Sequence, residues 1–136
     1  MKHFLAKTDP QTYSISDLQR EKRTVWDGIR NAQALSAIRE MRTNDRVFIY
    51  HSGGESAVVG LARVLSPPRP DPGDPKLAIV DFEFLQRLEP PATLAEIRGT
   101  KRFDGWALIR QSRLSTMPAP PEFVDWMRNR YPKAKI

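Results

Sequence analysis

The stretch RVFIYHSGGESAVVGLARVL, from Arg46 to Leu65, decides how the chain is read. It holds two apolar runs, Arg46–His51 and Val58–Leu65, with Gly53-Gly54 between them. Short runs rich in branched and aromatic residues, separated by turn-forming glycines, predict two strands joined by a loop of several residues. Upstream, His3-Phe-Leu-Ala-Lys7 predicts a short first strand, stopped by Asp9-Pro10. Downstream, Leu77–Leu88 alternates in part. Ala78, Val80, Phe82 and Phe84 share one side, while Asp81, Glu83 and Arg87 mark the other. That period of two predicts a long strand, and Trp106–Ile109 predicts a last one. Pro67, Pro68, Pro70, Pro72 and Pro75 fall between strands. Proline cannot donate to a sheet ladder, so this segment is expected to be a surface loop.

Helices fill the gaps. Ser16-Asp-Leu-Gln19 can open a short one, and Asn31 is placed to cap a second that runs through Met41. Ala34, Leu35, Ile38 and Met41 form a single apolar stripe on it. Thr93-Leu-Ala-Glu96 has the capping-box pattern, with Gly99 ending the helix it opens. Pro121 fits the first turn of a final helix, whose buried face is expected to carry Phe123, Trp126 and Met127. About five strands with helices between them, without strict βαβ alternation, predict an α+β fold. A small mixed β-barrel with peripheral helices suits that order, as one domain over residues 1–136.

The 136 residues include no cysteine, which excludes disulfides, thiolate metal sites and a cysteine nucleophile. Met1–Lys7 has no long apolar region, and no apolar stretch approaches the roughly 20 residues that cross a bilayer. A soluble, cytoplasmic, monomeric protein with no membrane partner is expected. The net charge is +6, and its placement is uneven. Residues 1–97 carry 13 Lys/Arg and 13 Asp/Glu, whereas residues 98–136 carry nine against three. A solvated basic surface accounts for such an excess; so does a polyanion partner whose counterions are released on binding.

His3 and His51 are the only histidines, and no cofactor or metal site is expected from them. A serine triad would need His51 with Ser52, Ser112 or Ser115 and a carboxylate such as Asp27 or Asp81, and no nucleophile elbow supports it. Gly53-Gly54 lacks the Lys-Ser/Thr of a phosphate loop. Trp26 beside Asp27-Gly28 reads either as a core residue or as a pocket wall. Arg30 reads as a surface residue or a ligand contact, and the N-cap role accounts for Asn31 by itself. Tyr50 and His51 end a strand and have structural and functional readings alike. Arg110-Gln-Ser-Arg-Leu-Ser115 gathers donors and acceptors that suit a base edge or a well-bonded turn.

Five strings in order resemble the EVE domain family: Lys7-Thr-Asp-Pro10, Trp26-Asp-Gly-Ile-Arg-Asn31-Ala-Gln-Ala34, Phe48-Ile-Tyr-His-Ser52, Val59-Gly-Leu-Ala-Arg-Val64 and Arg113-Leu-Ser-Thr-Met-Pro118. The resemblance implies a PUA-like fold and a non-enzymatic reader of a modified base, 5-methylcytosine or its oxidised forms, in DNA or RNA. It further implies that Trp26 supplies an aromatic pocket face beside Arg30 and Asn31. Tyr50, His51 and Ser52 would line another side, and Ser112, Leu114 and Ser115 would close it. Lys7 and Thr8 occupy the family's Lys-Ser position. Thr8-Asp9 replaces the usual Ser-Glu, and Leu35-Ser36 replaces Arg-Asn, which bears on the preferred base more than on the fold.

Two wider expectations follow. Trp26, His51 and Ser112, far apart in sequence, are expected to line one concave pocket. Arg110, Arg113, Arg128 and Arg130 are expected to contact phosphates beside its mouth. A PUA-type accessory module for structured or tRNA-like RNA is the alternative, and an enzyme with His51 as general base is a third reading.

Overall fold

The computed structural model describes residues 1–136. Two neighbouring strands show how the core is divided. β1 (His3–Thr8) and β3 (Arg46–His51) run parallel, with Phe4 beside Val47 and Lys7 beside Tyr50. Successive side chains of a strand point to opposite faces. Phe4, Ala6, Val47 and Ile49 accordingly enter one apolar cluster, and Leu5, Phe48 and Tyr50 the other. On the first face the sheet is covered by α1 (Ile15–Glu21) and α2 (Ala32–Glu40), through Ile15, Leu18, Leu35 and Ile38. On the second lie α3 (Leu94–Gly99), α4 (Ala107–Arg110) and α5 (Pro121–Arg130), contributing Ile97, Leu108, Phe123 and Met127. Burial on both faces is why these strands read as continuous apolar runs.

The seven-stranded sheet has the order β2 (Arg23–Trp26), β6 (Asp74–Thr93), β4 (Ala57–Val64), β3, β1, β7 (Thr116–Pro118), with β5 (Arg69–Asp71) also paired to β6. The α+β class expected from the sequence is the one adopted. The barrel is not closed, because β2 and β7 end the strand order and do not pair with each other. β6 is 20 residues long and serves β2, β4 and β5. Register shifts against β4 around Val58–Gly60 and Leu61/Ala62 bend it. Gly60 lies at one of those shifts, where a Cβ would run into the Ile15 side chain, so α1 sits directly on β4.

Local signals at the helix starts behave as their chemistry requires. The Ala34 N–H donates to Asn31 Oδ1 at 3.0 Å. Thr93 and Glu96 form the reciprocal capping box, and Pro121 opens α5. A second capping box, Ser14 with Asp17, starts α1 just before the predicted Ser16. Gly53 and Gly54 both take positive φ, 81° and 60°, which makes the turn between β3 and β4 possible.

Two expectations are corrected. Trp106–Ile109 is not a strand: the Trp106 carbonyl accepts the Ile109 and Arg110 N–H groups at 2.9 and 3.1 Å, forming one helical turn. Four apolar residues do not distinguish the two periods. The last strand is β7, whose three residues are too few to alternate visibly. The proline-rich segment is not wholly loop either, since Arg69–Asp71 pairs with the start of β6. Pro70 and Pro75 are tolerated there because this ribbon lies off the main strand path.

Candidate functional site

The C-terminal end of β1 ties three connections together. The Lys7 N–H donates to the Ser115 carbonyl at 2.7 Å, and the Thr8 carbonyl accepts the Ser52 N–H at 2.9 Å. Thr8 Oγ1 donates to the Tyr13 carbonyl at 2.8 Å. Lys7 Nζ donates to the Ser112 carbonyl at 3.0 Å and stands 5.5 Å from the centre of the Tyr50 ring. Residues at the C-terminal ends of β1 and β2 line one cavity of about 370 Å³, walled by Lys7, Thr8, Thr12, Tyr13, Thr24, Val25, Trp26, Asp27 and Ile29. That volume falls in the range of small-ligand sites, about 300–1,000 Å³.

Trp26 proves to be both wall and core. It is 7% exposed, with Phe82 tilted against it at 5.0 Å and the Tyr13 ring edge-on at 6.1 Å. Beside it Val25 is 45% exposed, an apolar side chain left in water at the cavity wall. The chain's seven ion pairs leave out Lys7, Asp27, Arg30 and Arg113. The cavity therefore holds an ammonium and a carboxylate, neither of them neutralised by a partner. Burial lowers the pKa of Lys7. Tyr13 is raised to about 12, first by burial and then by donating its hydroxyl to Glu21 at 2.6 Å.

The structure places the predicted residues in distinct roles. Lys7, Thr8 and Trp26 line the cavity. Ser52, Ser112 and Ser115 bond to Lys7 or Thr8 through their backbones, and Tyr50 lies beneath the Lys7 amine. Arg30 is exposed just beyond Ile29, and Asn31 caps α2. Leu114, 4% exposed, belongs to the core. His51 Nε2 accepts the Ile15 N–H at 3.0 Å, so its exposed ring edge is spent on a helix start. Trp26, His51 and Ser112 thus do not line one cavity together: Ser112 lies one hydrogen bond behind Lys7, and His51 faces α1. Thr12, Tyr13, Thr24, Val25, Asp27 and Ile29 complete the wall. Of these, Asp27 and Ile29 had a sequence signal, their place in the string Trp26-Asp-Gly-Ile29.

The arginines also separate. Arg130 is committed, donating to Glu96 at 2.8 Å and to the Pro91 carbonyl at 3.1 Å while lying over the Trp126 and Tyr131 rings. Arg128 donates to the Ile136 carbonyl at 3.3 Å, and Arg110 to the Asp104 carbonyl at 3.1 Å. Arg113 is exposed and unpaired, next to Ser112. A larger cavity of about 560 Å³ opens at the other end of β1, around Lys2, His3, Phe4, Pro118, Val124 and Arg128. Two of its cations are already engaged, Lys2 by Glu40 at 3.9 Å and Arg128 by the Ile136 carbonyl.

Residues 2–130 match the EVE domain. The chain belongs to the EVE domain family. Human thymocyte nuclear protein 1 is 27% identical to this EVE domain over 161 aligned positions, covering 92% of this chain and 72% of that protein. The crystal structure of human THYN1 in complex with 5-methylcytosine-containing DNA superposes with a TM-score of 0.86 at 25% identity, over 95% of this chain and 96% of that one. The NMR structure of Rpa0253 from Rhodopseudomonas palustris reaches 0.90 at 30% identity, over 96% and 92%.

Proposed function

We propose that this EVE domain binds nucleic acid and takes one modified base, of the 5-methylcytosine type, into the Trp26 cavity. The observation that carries the reading is the cavity itself: an aromatic wall, an exposed Val25, an unpaired Lys7 and an unpaired Asp27 in one concavity. Support comes from the THYN1 structure, whose DNA contains 5-methylcytosine. A base stacked on an aromatic ring gains roughly 1–3 kcal/mol. A methyl buried against Val25 or Ile29 adds about 0.8 kcal/mol, about fourfold in affinity. Extracting the base from a duplex costs a few kcal/mol, which phosphate contacts by the unpaired Arg30 and Arg113 at the neighbouring positions offset. The role is that of a reader. His51, the candidate general base, has its Nε2 occupied by a backbone N–H. Titrating the protein with matched oligonucleotides containing cytosine or 5-methylcytosine, followed by tryptophan fluorescence, tests the reading; equal affinity for the two contradicts it.

A further inference from the structure

We infer that Asp27 and Lys7 read the hydrogen-bonding edge of the bound base, so that the site accepts a 4-aminopyrimidine and rejects its 4-oxo counterpart, thymine included. This rests on the base-binding reading above and adds the element that separates two bases carrying the same 5-methyl group. Asp27 and Lys7 wall the same cavity at the ends of β2 and β1. No ion pair joins them or ties either to another side chain. Asp27 is exposed and stands after the last residue of β2, next to Trp26. Lys7 is held by one carbonyl and one ring, so its ammonium keeps donors free.

The chemistry of the pair is selective. A carboxylate only accepts hydrogen bonds and an ammonium only donates them. Cytosine and 5-methylcytosine present an exocyclic amine beside ring acceptors, and an acidic side chain accepting from that amine is an established mode of cytosine readout. Thymine has an acceptor oxygen at that place and an N–H at the neighbouring ring position. In this cavity its oxygen would face the carboxylate and its N–H the ammonium, leaving four polar groups unpaired or opposed. A site that matches a polar edge adds discrimination by mismatch to the small term a methyl pocket gives by size. The carboxylate also disfavours a phosphate in the cavity.

The test uses the full chain and single-stranded oligonucleotides that differ only at one central position: cytosine, 5-methylcytosine or thymine. Fluorescence anisotropy gives an affinity for each. The wild type is expected to bind the 5-methylcytosine oligonucleotide at least tenfold more tightly than the thymine one. Asp27→Asn can offer an amide N–H to the thymine oxygen, so it should bring that ratio below threefold while the thermal melt stays unchanged. A wild-type preference for 5-methylcytosine over cytosine, combined with a ratio to thymine that Asp27→Asn leaves intact, overturns this inference and spares the reader. A wild type that does not separate 5-methylcytosine from thymine overturns it too. No preference for 5-methylcytosine over cytosine removes the reader and the edge-reading together.

Discussion

The backbone N–H of Ile15 donates to Nε2 of His51 across 36 residues of sequence, at 3.0 Å. The imidazole at the end of β3 thereby satisfies one of the orphan donors at the start of α1. Only the neutral imidazole accepts this bond. Burial, then the charge of Arg87, lowers the pKa of His51. In the unfolded chain the ring regains its ordinary value near 6.5 and binds its proton first. The contribution is therefore fully present above about pH 6.5 and is lost as pH falls. His51→Ala should cost roughly 1–3 kcal/mol at pH 8 by leaving the Ile15 donor unsatisfied. Urea unfolding at pH 8 and pH 5.5 should show a smaller acid loss in the variant than in the wild type. An identical loss in both would remove His51 from the titration.

His3 supplies the larger part of the same pH dependence. Burial first, then the charges of Arg128 and Arg46, lower its pKa to about 4. Its Nε2 is buried without a hydrogen-bond partner. Stability tied to this ring is present above about pH 6.5 and is lost between there and pH 4. His3→Phe keeps the stack on Phe48, 6.0 Å away, and removes the titrating group. It should hold neutral-pH stability within about 1 kcal/mol and flatten the unfolding midpoint between pH 6.5 and 4. A midpoint that falls as steeply as in the wild type would contradict this.

Trp26 sits in a 16-residue apolar cluster as well as in the cavity wall. Trp26→Ala should cost roughly 3–5 kcal/mol of stability, so the variant confounds folding with binding. Trp26→Phe is the cleaner change: it should melt within a few degrees of the wild type and bind the 5-methylcytosine oligonucleotide more weakly. Thermal melts beside the titrations separate the two effects. Unchanged affinity in a folded Trp26→Phe would take the indole out of the site.

Much of this arrangement was legible in the sequence, and what was not has physical reasons. Caps at Asn31 and Thr93 and the start at Pro121 are local chemistry, so reading them needed no tertiary knowledge. Strands β1, β3 and β4 were readable from apolar runs bounded by turn residues. The helical turn at Ala107–Arg110 was not, because four residues carry no period and the backbone bonds to Trp106 decide it. Lys7 and Trp26 entered from motif strings. Their convergence with Tyr13 and Val25 depends on the ends of β1 and β2, separated by three strands in the sheet, lining one cavity, which no spacing reveals. The commitment of Arg130 was equally hidden. Its partners Pro91 and Glu96 lie 39 and 34 residues away, so a C-terminal cation that reads as free for phosphate is a brace instead.

That difference among arginines can be measured. Each phosphate contact contributes about 0.7–0.9 to the slope of log affinity against log salt. The double variant Arg30→Ala, Arg113→Ala should lower that slope by roughly 1.4–1.8 and leave the melt unchanged. Arg130→Ala should do the reverse, costing roughly 1–3 kcal/mol of stability through its lost bonds to Glu96 and Pro91 with little change in slope. Salt titrations of both variants decide which arginines meet phosphate.

The most direct test of the modified-base reading is the affinity of the unaltered protein for two oligonucleotides that differ by one methyl group. Cytosine and 5-methylcytosine share every hydrogen-bonding atom, so only the apolar wall beside Trp26 can separate them. The predicted result is tighter binding of the 5-methylcytosine oligonucleotide, by about fourfold or more. Equal affinities for the two, at the same salt and strand length, would contradict it.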